Sequence, residues 1–479
     1  MKSNSISSSL LWKFLERGGS QVTQFIVSII IARLLLPGDY GAVALLTIFI
    51  SIATVFVQSG LNTALIQKKD VEELDFSSVF FYSMGLALII YLCLFFCADW
   101  IEFFFRISGL SSLLRVLALI LFPGALFAMQ VAVLSKKMQF RKQFCSSIIA
   151  CVLSGCLGII MAYKGFGAWA LVAQQISYQV IGCIVLLVIV DWRPHFVFSF
   201  QRTKSLLSYG VKLLGANLID AVYHNMESLI IGKFFTPATL AYCNKGKMFP
   251  LILSDNIDGA IQSVMLPAYS AQQDDKEALK SLLRKTVSLS TYLVFPVMTL
   301  MVTMGKPIIY LFLGENWLDS VPFLQLFCLI AMIFPLQTAN LQGINALGRS
   351  DVYLKLVSYK RLFGFFFLSG SIFIYYSPFA VVVVALLVEI ISVGINAPFI
   401  KRILNYSFKE MILDVVPNLI ISVAIGCACY SLVFIFDNCL LLLLFQLLLG
   451  FSIFIIMSLI LGNANFIYLK NLIKSRYKI

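Results

Sequence analysis

Long apolar runs separated by short polar gaps make up most of this sequence, and this pattern limits the folds open to it. Of 479 residues, 60% are hydrophobic and 12% are charged, whereas ordinary soluble domains carry about 25% charged residues. No long stretch has the composition of a soluble domain. Because about 20 apolar residues cross a bilayer as a helix, the sequence predicts an all-α membrane protein with about fourteen transmembrane helices.

Polar gaps and gaps marked by proline or glycine divide the chain into predicted spans. These spans lie near residues 12–35, 40–66, 76–105, 111–134, 144–163, 167–190, 207–235, 238–268, 284–313, 318–347, 353–376, 379–400, 411–435 and 439–462. We expect two six-helix lobes around a central cavity, at residues 1–200 and 201–405. Residues 406–479 are predicted to add two spans and a basic cytoplasmic tail.

Lysine and arginine clusters occur in alternate gaps, for example Lys136 to Lys142, Arg193 to Lys204 and Lys276 to Lys285. The intervening gaps are short and nearly free of cations. Since cytoplasmic loops carry an excess of Lys and Arg, the basic side is predicted to be cytoplasmic. An even number of spans then places both termini on that side. This bias accounts for the net charge of +13, so nucleic-acid binding is not predicted.

The second half of the sequence repeats a motif of the first half at an offset of 200 residues (233 − 33 = 237 − 37 = 200). The segment Ser28 to Arg33 resembles the segment Ser228 to Lys233. A proline, Pro37 or Pro237, follows each segment at the same distance. Six spans separate the copies, so they share one orientation. Parallel repeats of this kind form two lobes related by an axis along the membrane normal, which is typical of transporters.

Polar residues recur along one face of several predicted spans. Charged groups at mid-bilayer cost about 2.5 to 3.5 kcal/mol each, so we expect the stripes to face a wet cavity or partners on neighbouring helices. The predicted substrate-cavity residues are Glu16, Arg17, Gln24, Gln58, Asn62, Asn217, Asp220, His224, Glu227, Asn244, Lys245, Lys247, Asp255, Asp258 and Glu389. Each charge also has a structural interpretation, as an ion pair between packed helices or as a side chain that snorkels to the interface.

The stripes combine amide, hydroxyl, carboxylate and ammonium groups, which together can hydrogen-bond a sugar and pair with a phosphate. His224 beside two carboxylates is a candidate proton site. The sequence has no C-x-x-C, P-loop, G-x-S-x-G or H-E-x-x-H motif, and its two histidines are far apart. We therefore predict no catalytic residue, no metal site, no cofactor and no enzymatic activity.

A set of short blocks along the chain has a spacing that recurs in few other membrane families. The blocks are Leu15–Gly19, Ala32–Leu35 with Pro37, Asp39–Gly41, Ser59–Gly60, Ala64–Gln67, Gly165–Ala170, Trp192–Pro194, Gly232–Phe235 and Gly348–Asp351. This set resembles the polysaccharide transporter family, the Wzx-type flippases of the multidrug/oligosaccharidyl-lipid/polysaccharide exporter superfamily. The likeness covers roughly residues 8 to 410 and fades over the last two spans.

The resemblance implies a flippase in a bacterial plasma (inner) membrane. Its implied substrate is an undecaprenyl-diphosphate-linked oligosaccharide, carried from the inner to the outer leaflet for O-antigen, capsule or exopolysaccharide biosynthesis. Members usually read closer to G-Y-Y-N-R where this chain has Ala241 to Lys245. Because lysine does not make the bidentate phosphate contact of arginine, a fixed pyrophosphate role is not carried over to Lys245. H+ or Na+ is a candidate coupling ion, and a polysaccharide polymerase and chain-length proteins are candidate partners.

Three other functions fit some of these features. A cation-coupled multidrug exporter of the same superfamily is disfavoured by fourteen spans and by the polar stripes. A membrane-embedded glycan polymerase or acyltransferase would be recognised by a product of new covalent composition. A lipid II flippase differs from the implied function only in its substrate.

Overall fold

The computed structural model describes residues 3–68, 71–272, 275–347 and 349–476, and the regular structure of these residues is entirely helical. The predicted all-α class is thereby confirmed. The chain forms two compact units, Met1–Ala241 (unit 1) and Tyr242–Ile479 (unit 2). The division into lobes at residue 200 stays a prediction.

Unit 1 is built from long helices joined by short connections. Its helices are α1 (Ser3–Leu34), α2 (Pro37–Gln58), α3 (Leu61–Gln67), α4 (Glu73–Phe105), α5 (Leu110–Leu117), α6 (Leu121–Lys136), α7 (Phe140–Tyr163), α8 (Ala168–Ile189) and α9 (Phe200–Phe234). Pro37 opens α2, where the missing N–H of proline removes no helical hydrogen bond. Ser59 and Gly60 have positive φ values of 47° and 66°, so the predicted span near 40–66 is two helices, α2 and α3.

Helix α9 lies directly on α2. A Cβ at Gly60 would lie 2.8 Å from the carbonyl oxygen of Gly210 in α9, and a Cβ at Gly210 would lie 2.7 Å from that of Ser59. Towards the other end of the pair, a Cβ at Gly232 would lie 2.8 Å from Leu45. The glycines therefore allow a close approach at both ends of α9.

The interior of unit 1 is apolar. Helices α3, α4, α6, α8 and α9 share a core that includes Leu61, Val79, Val133, Leu186 and Leu206. Burial of such side chains contributes roughly 1.5 to 3 kcal/mol each in water, and in a bilayer the same contacts act through close packing. The core therefore joins α9, which carries part of the polar stripe, to the other four helices.

Unit 2 begins within α10 (Pro237–Ala271). The helices that follow are α11 (Lys276–Thr303), α12 (Gly305–Phe312), α13 (Val321–Ala346), α14 (Ser350–Ile374), α15 (Pro378–Leu404), α16 (Phe408–Ser431), α17 (Cys439–Ile460) and α18 (Ala464–Arg476). Helix α18 occupies most of the segment expected to be a basic tail. It starts where the side chain of Asn463 accepts a hydrogen bond from the backbone N–H of Asn465 at 2.9 Å, which is the usual role of an N-cap residue.

Polar contacts join the last helices of unit 2 to α11. Arg284 of α11 makes two hydrogen bonds with Asp414 of α16, at 2.9 and 2.6 Å. Farther along, the amide of Asn418 donates to the carbonyl of Ser288 at 2.8 Å, and Asn463 donates to Asn418 at 3.0 Å. Helices α16 and α18 are therefore integral to unit 2.

The helix bounds agree with the internal repeat. Helices α1 and α9 end at Leu34 and Phe234, and α2 and α10 begin at Pro37 and Pro237, all at an offset of 200 residues (234 − 34 = 237 − 37 = 200). Helices α14 and α15 begin 210 residues after α7 and α8 (350 − 140 = 378 − 168 = 210). The repeated pattern thus extends beyond the motif found in the sequence.

Ten helical segments among the described residues are long and apolar enough to cross a bilayer. Helices α1, α9, α10 and α14 are not among the ten, although they have 32, 35, 35 and 25 residues. These helices carry most of the polar residues singled out in the sequence. The count of fourteen spans and the cytoplasmic position of both termini stay predictions.

Candidate substrate-binding site

In unit 1, the predicted residues of α1 lie beside α7 and α8. Tyr178 of α8 lies beside Gln24 of α1 and Ser147 of α7, and Glu16 is within electrostatic reach of it. The structure therefore brings Glu16 and Gln24 together around a tyrosine hydroxyl that sequence analysis missed. The side chain of Arg17 lies outside the described part of the chain.

A cavity of about 270 Å³ lies between α2, α6 and α8. Its polar lining includes Thr54 and Gln58 from α2 and Gln179 from α8, and its apolar wall includes Leu121 and Phe127. Pockets for small ligands start at about 300 Å³, so the space is close to that needed for one small ring. Amide and hydroxyl groups above an apolar wall suit a sugar, which presents both hydroxyls and C–H faces.

The polar stripe of α9 lies mainly on the surface of unit 1. Asn217, Asp220 and His224 are exposed, and Glu227 is buried. Asn62, at the start of α3, is half-buried. An exposed stripe with these groups would be costly against lipid. That this face of α9 meets water or a polar ligand stays a prediction.

In unit 2, α10 lies close to α13 because Gly246 has no side chain. A Cβ at Gly246 would lie 2.7 Å from a backbone nitrogen of α13. The two neighbouring lysines contact aromatic rings: the ammonium of Lys245 lies 5.9 Å from the ring centroid of Trp317, and that of Lys247 lies 5.3 Å from that of Phe327. Cation–π attraction stabilises an ammonium within about 6 Å of a ring centroid. The two lysines are thus held in separate surroundings.

The carboxylates of α10 lie one helical turn apart. Asp258 is half-buried, accepts a long hydrogen bond of 3.5 Å from Thr338 of α13, and is within electrostatic reach of the exposed Asp255. Asp258 also lines a narrow pocket with Gln342. Asn244, at the other end of α10, is half-buried. Among the described residues, no group of three His, Cys, Asp or Glu side chains is arranged to hold a metal ion.

Glu389 of α15 is the centre of a charged cluster. Lys360 of α14 donates a hydrogen bond to the side-chain oxygen of Gln337 at 3.0 Å. The amide of Gln337 in turn donates to the carboxylate and, at 3.3 Å, to the backbone oxygen of Glu389. Lys247, Lys360 and Arg361 all act electrostatically on the Glu389 carboxylate. The cluster therefore joins four helices: α10, α13, α14 and α15.

Of this cluster, Lys247 and Glu389 are among the residues predicted from the sequence, whereas Gln337, Lys360 and Arg361 are not. The signal for the last two was present, because two adjacent cations interrupt an apolar stretch of α14. The ammonium of Lys245 lies over the ring of Trp317.

Comparison with known proteins assigns the chain to a family. Residues 30–322 match the family described as polysaccharide biosynthesis protein. The chain belongs to this family. The match begins in α1 and ends in α13, so it includes the cavity of unit 1 and all of α10.

Two relatives of this chain illustrate the likeness. It is 23% identical over 352 residues to the succinoglycan biosynthesis transport protein ExoT of Rhizobium meliloti, covering 74% of this chain and 71% of the relative. It is 22% identical over 416 residues to the lipopolysaccharide biosynthesis protein WzxC of Escherichia coli, covering 83% and 82%. The resemblance to polysaccharide transporters is thus confirmed.

Solved structures show which fold the chain has. The lipid II flippase MurJ, in an inward closed conformation, superimposes with a TM-score of 0.75 at 15% identity, covering 94% of this chain and 98% of MurJ. An inward-facing multidrug resistance MATE transporter of the MOP superfamily gives 0.57 at 15% identity, covering 79% and 92%. At such identities the likeness establishes the fold. With its apolar helices, the chain is a multi-pass protein of the bacterial inner membrane.

Proposed function

We propose that this protein flips undecaprenyl-diphosphate-linked oligosaccharide repeat units from the inner to the outer leaflet of the plasma membrane. The observation that carries the proposal is that the helices provide two kinds of polar group. Unit 1 provides amides and hydroxyls around its cavity, as at Gln58 and Gln179. Unit 2 provides cations around Glu389. A glycan needs the first kind of group and a diphosphate needs the second.

The movement proposed is alternating access. A charged diphosphate does not cross a hydrocarbon core of about 30 Å unaided, so the glycan and diphosphate travel along polar groups while the polyprenyl chain stays in lipid. In transporters built from repeats, the binding site is exposed first to one side of the membrane and then to the other, and we propose the same for this protein. An inside-negative potential favours outward movement of negative charge by about 2.3 kcal/mol per charge per 100 mV. Asp255 and Asp258 are the candidate groups for coupling to H+ or Na+.

The relatives' names support a polysaccharide precursor as the cargo, since they refer to succinoglycan and lipopolysaccharide biosynthesis. The cation cluster of unit 2 is suited to an anion, which disfavours the cationic substrates typical of a drug exporter. Lipid II has the same polyprenyl diphosphate as the proposed substrate and differs from it in the glycan. The cavity of unit 1 is therefore where we expect discrimination between the two lipids.

Reconstitution tests the proposal. Purified protein is placed in liposomes that hold a fluorescent undecaprenyl-diphosphate oligosaccharide, and the fraction reached by an external, impermeant quencher is followed in time. Wild-type protein is expected to remove the slowly quenched, protected pool. A pool that stays as protected as in protein-free liposomes would overturn the proposal.

Variants of the cavity of unit 1 test the route of the glycan. Gln58→Leu and Gln179→Leu keep side-chain size and remove the amide. Each is expected to slow transfer by about tenfold or more, since an unsatisfied polar partner costs about 1 to 3 kcal/mol. The matched control is Gln201→Leu, whose side chain is exposed at the start of α9 and is expected to leave the rate unchanged. Equal rates in all three variants would remove the cavity from the route.

A further inference from the structure

The hydrogen bonds of Gln337 join an acid to a cation that both lie within the helices of unit 2. Gln337 presents its oxygen to Lys360 at 3.0 Å and its amide nitrogen to the carboxylate of Glu389. A second bond, at 3.3 Å, ties the same nitrogen to the backbone of Glu389. The glutamine therefore holds both charged side chains in fixed positions.

Several cations lie within electrostatic reach of Glu389. Lys247, Lys360 and Arg361 all act on its carboxylate. Lys360 is only 9% exposed, so water stabilises its charge poorly. Glu389, Gln337, Lys247 and Arg361 are partly exposed, so none of these four side chains is fully enclosed by the protein.

A diphosphate in a polyprenyl-linked sugar carries two ionised phosphate groups, each with several acceptor oxygens. It can therefore engage more cations than a single carboxylate can. The guanidinium of Arg361 is suited to bidentate phosphate contact, and the lysines act as point charges. The groups that now act on Glu389 are thus those that a diphosphate would engage.

We propose that Glu389 is an internal competitor of the substrate diphosphate for Lys247, Lys360 and Arg361. Without substrate, the carboxylate keeps the cations of the subsite in place, because removing one partner of a buried charged pair leaves an uncompensated charge. An entering diphosphate displaces the carboxylate from the cations. The competition keeps binding weak enough for release on the other side, as transport through a membrane requires. This inference rests on the proposed function for the identity of the anion.

Binding of farnesyl diphosphate to the detergent-purified full chain tests the competition by calorimetry. Glu389→Gln keeps the size of the side chain and removes its charge. We expect the variant to bind farnesyl diphosphate about tenfold more tightly than wild type, because a repelling negative charge is lost. Lys360→Gln is expected to weaken binding by about tenfold, because it removes one of the cations. Glu315→Gln, an exposed acid of the same unit, is the control and is expected to bind as wild type does.

Unchanged or weaker binding by Glu389→Gln would overturn the competition, and so would wild-type protein that does not bind farnesyl diphosphate. A second measurement avoids any variant. Dicyclohexylcarbodiimide modification of Glu389 in wild-type protein, read by mass spectrometry, is expected to increase when farnesyl diphosphate is present, since the carboxylate is released. A decrease or no change would contradict the proposal.

The two proposals fail separately. If the labelled lipid is not moved in liposomes while Glu389→Gln binds the probe more tightly, the flippase proposal fails and the competition stands. If the lipid is moved while the variant does not tighten binding, the competition fails and the flippase proposal stands.

Discussion

Gly246 shows how one residue without a side chain sets the position of two charged neighbours. Its Cα faces the start of α13, where a Cβ would meet backbone atoms of Leu324 and Ser320 at 2.7 and 2.9 Å. The lysines on either side, Lys245 and Lys247, reach different aromatic rings of unit 2. Lys247 also acts electrostatically on Glu389. The close approach at Gly246 is thus a condition for the cation cluster.

Gly246→Ala is expected to lower the midpoint of thermal unfolding of the purified protein, because backbone atoms cannot move aside as a flexible side chain can. Overpacking of this kind costs about 1 to 3 kcal/mol. The control is Gly259→Ala in the same helix, where nothing lies within 4 Å of the added Cβ. There the higher helix propensity of alanine, worth up to about 1 kcal/mol, is expected to leave stability unchanged or slightly raised. Equal midpoints in the two variants would contradict this packing.

At the residue scale, the sequence was informative where polar groups follow a helical period and less so where they do not. The spacing of Asp255 and Asp258 indicated neighbours on one face, and the structure places them within electrostatic reach. Lys360 and Arg361 have no such period, and their partner Gln337 comes from another helix. The sequence does not show which helices are neighbours, so the hydrogen bonds that join Lys360 to Glu389 through Gln337 could not be predicted.

Helix α11 shows how contacts between elements tie the last helices to unit 2. Near one end of the α11–α16 pair, Arg284 and Asp414 form an ion pair of 2.6 Å with exposed fractions of 42% and 14%. The hydroxyl of Tyr406 also donates to Asp414 at 2.9 Å. Asp414 is more sheltered than Asp99, whose pair with Arg115 has exposed fractions of 31% for the arginine and 69% for the acid.

Exchange of the two charges tests the ion pair between α11 and α16. Asp414→Arg places two guanidinium groups together and is expected to destabilise the protein by about 1 to 3 kcal/mol, after allowance for solvent screening. Adding Arg284→Asp to it is expected to restore most of the loss. The single variant Asp99→Arg, which reverses the acid of the exposed pair with Arg115, is expected to change stability by less than about 1 kcal/mol. Thermal unfolding in detergent measures all of these variants, and a double variant no more stable than Asp414→Arg would argue against the pair.

At the element scale, apolar runs predicted where helices lie but not where they break. The predicted single span near 284–313 is two helices in the structure, because α11 ends at Thr303 and α12 begins at Gly305. The break at Ser59 and Gly60 depends on positive φ values and on the close approach of Gly210. Helix α18 was missed because its composition is polar, whereas its start depends on a cap at Asn463.

At the scale of the whole molecule, hydropathy and charge bias were sufficient to predict an all-α membrane protein, because every backbone polar group in lipid must be paired within helices. The repeat offset of 200 residues pointed to two related halves, and the helix bounds agree with it. The compact units, however, divide at Ala241 and Tyr242. Helix α9 packs on α2 through glycine contacts that no hydropathy pattern contains.

Cargo choice is the central claim at this scale. One reconstitution with three labelled compounds in the same liposomes tests it most directly: an undecaprenyl-diphosphate oligosaccharide, lipid II and a cationic drug-like dye. The account predicts that wild-type protein exposes the oligosaccharide lipid to external quencher fastest, exposes lipid II more slowly and leaves the dye where it was. Movement of the dye with continued protection of the oligosaccharide lipid would contradict the account and identify a drug exporter.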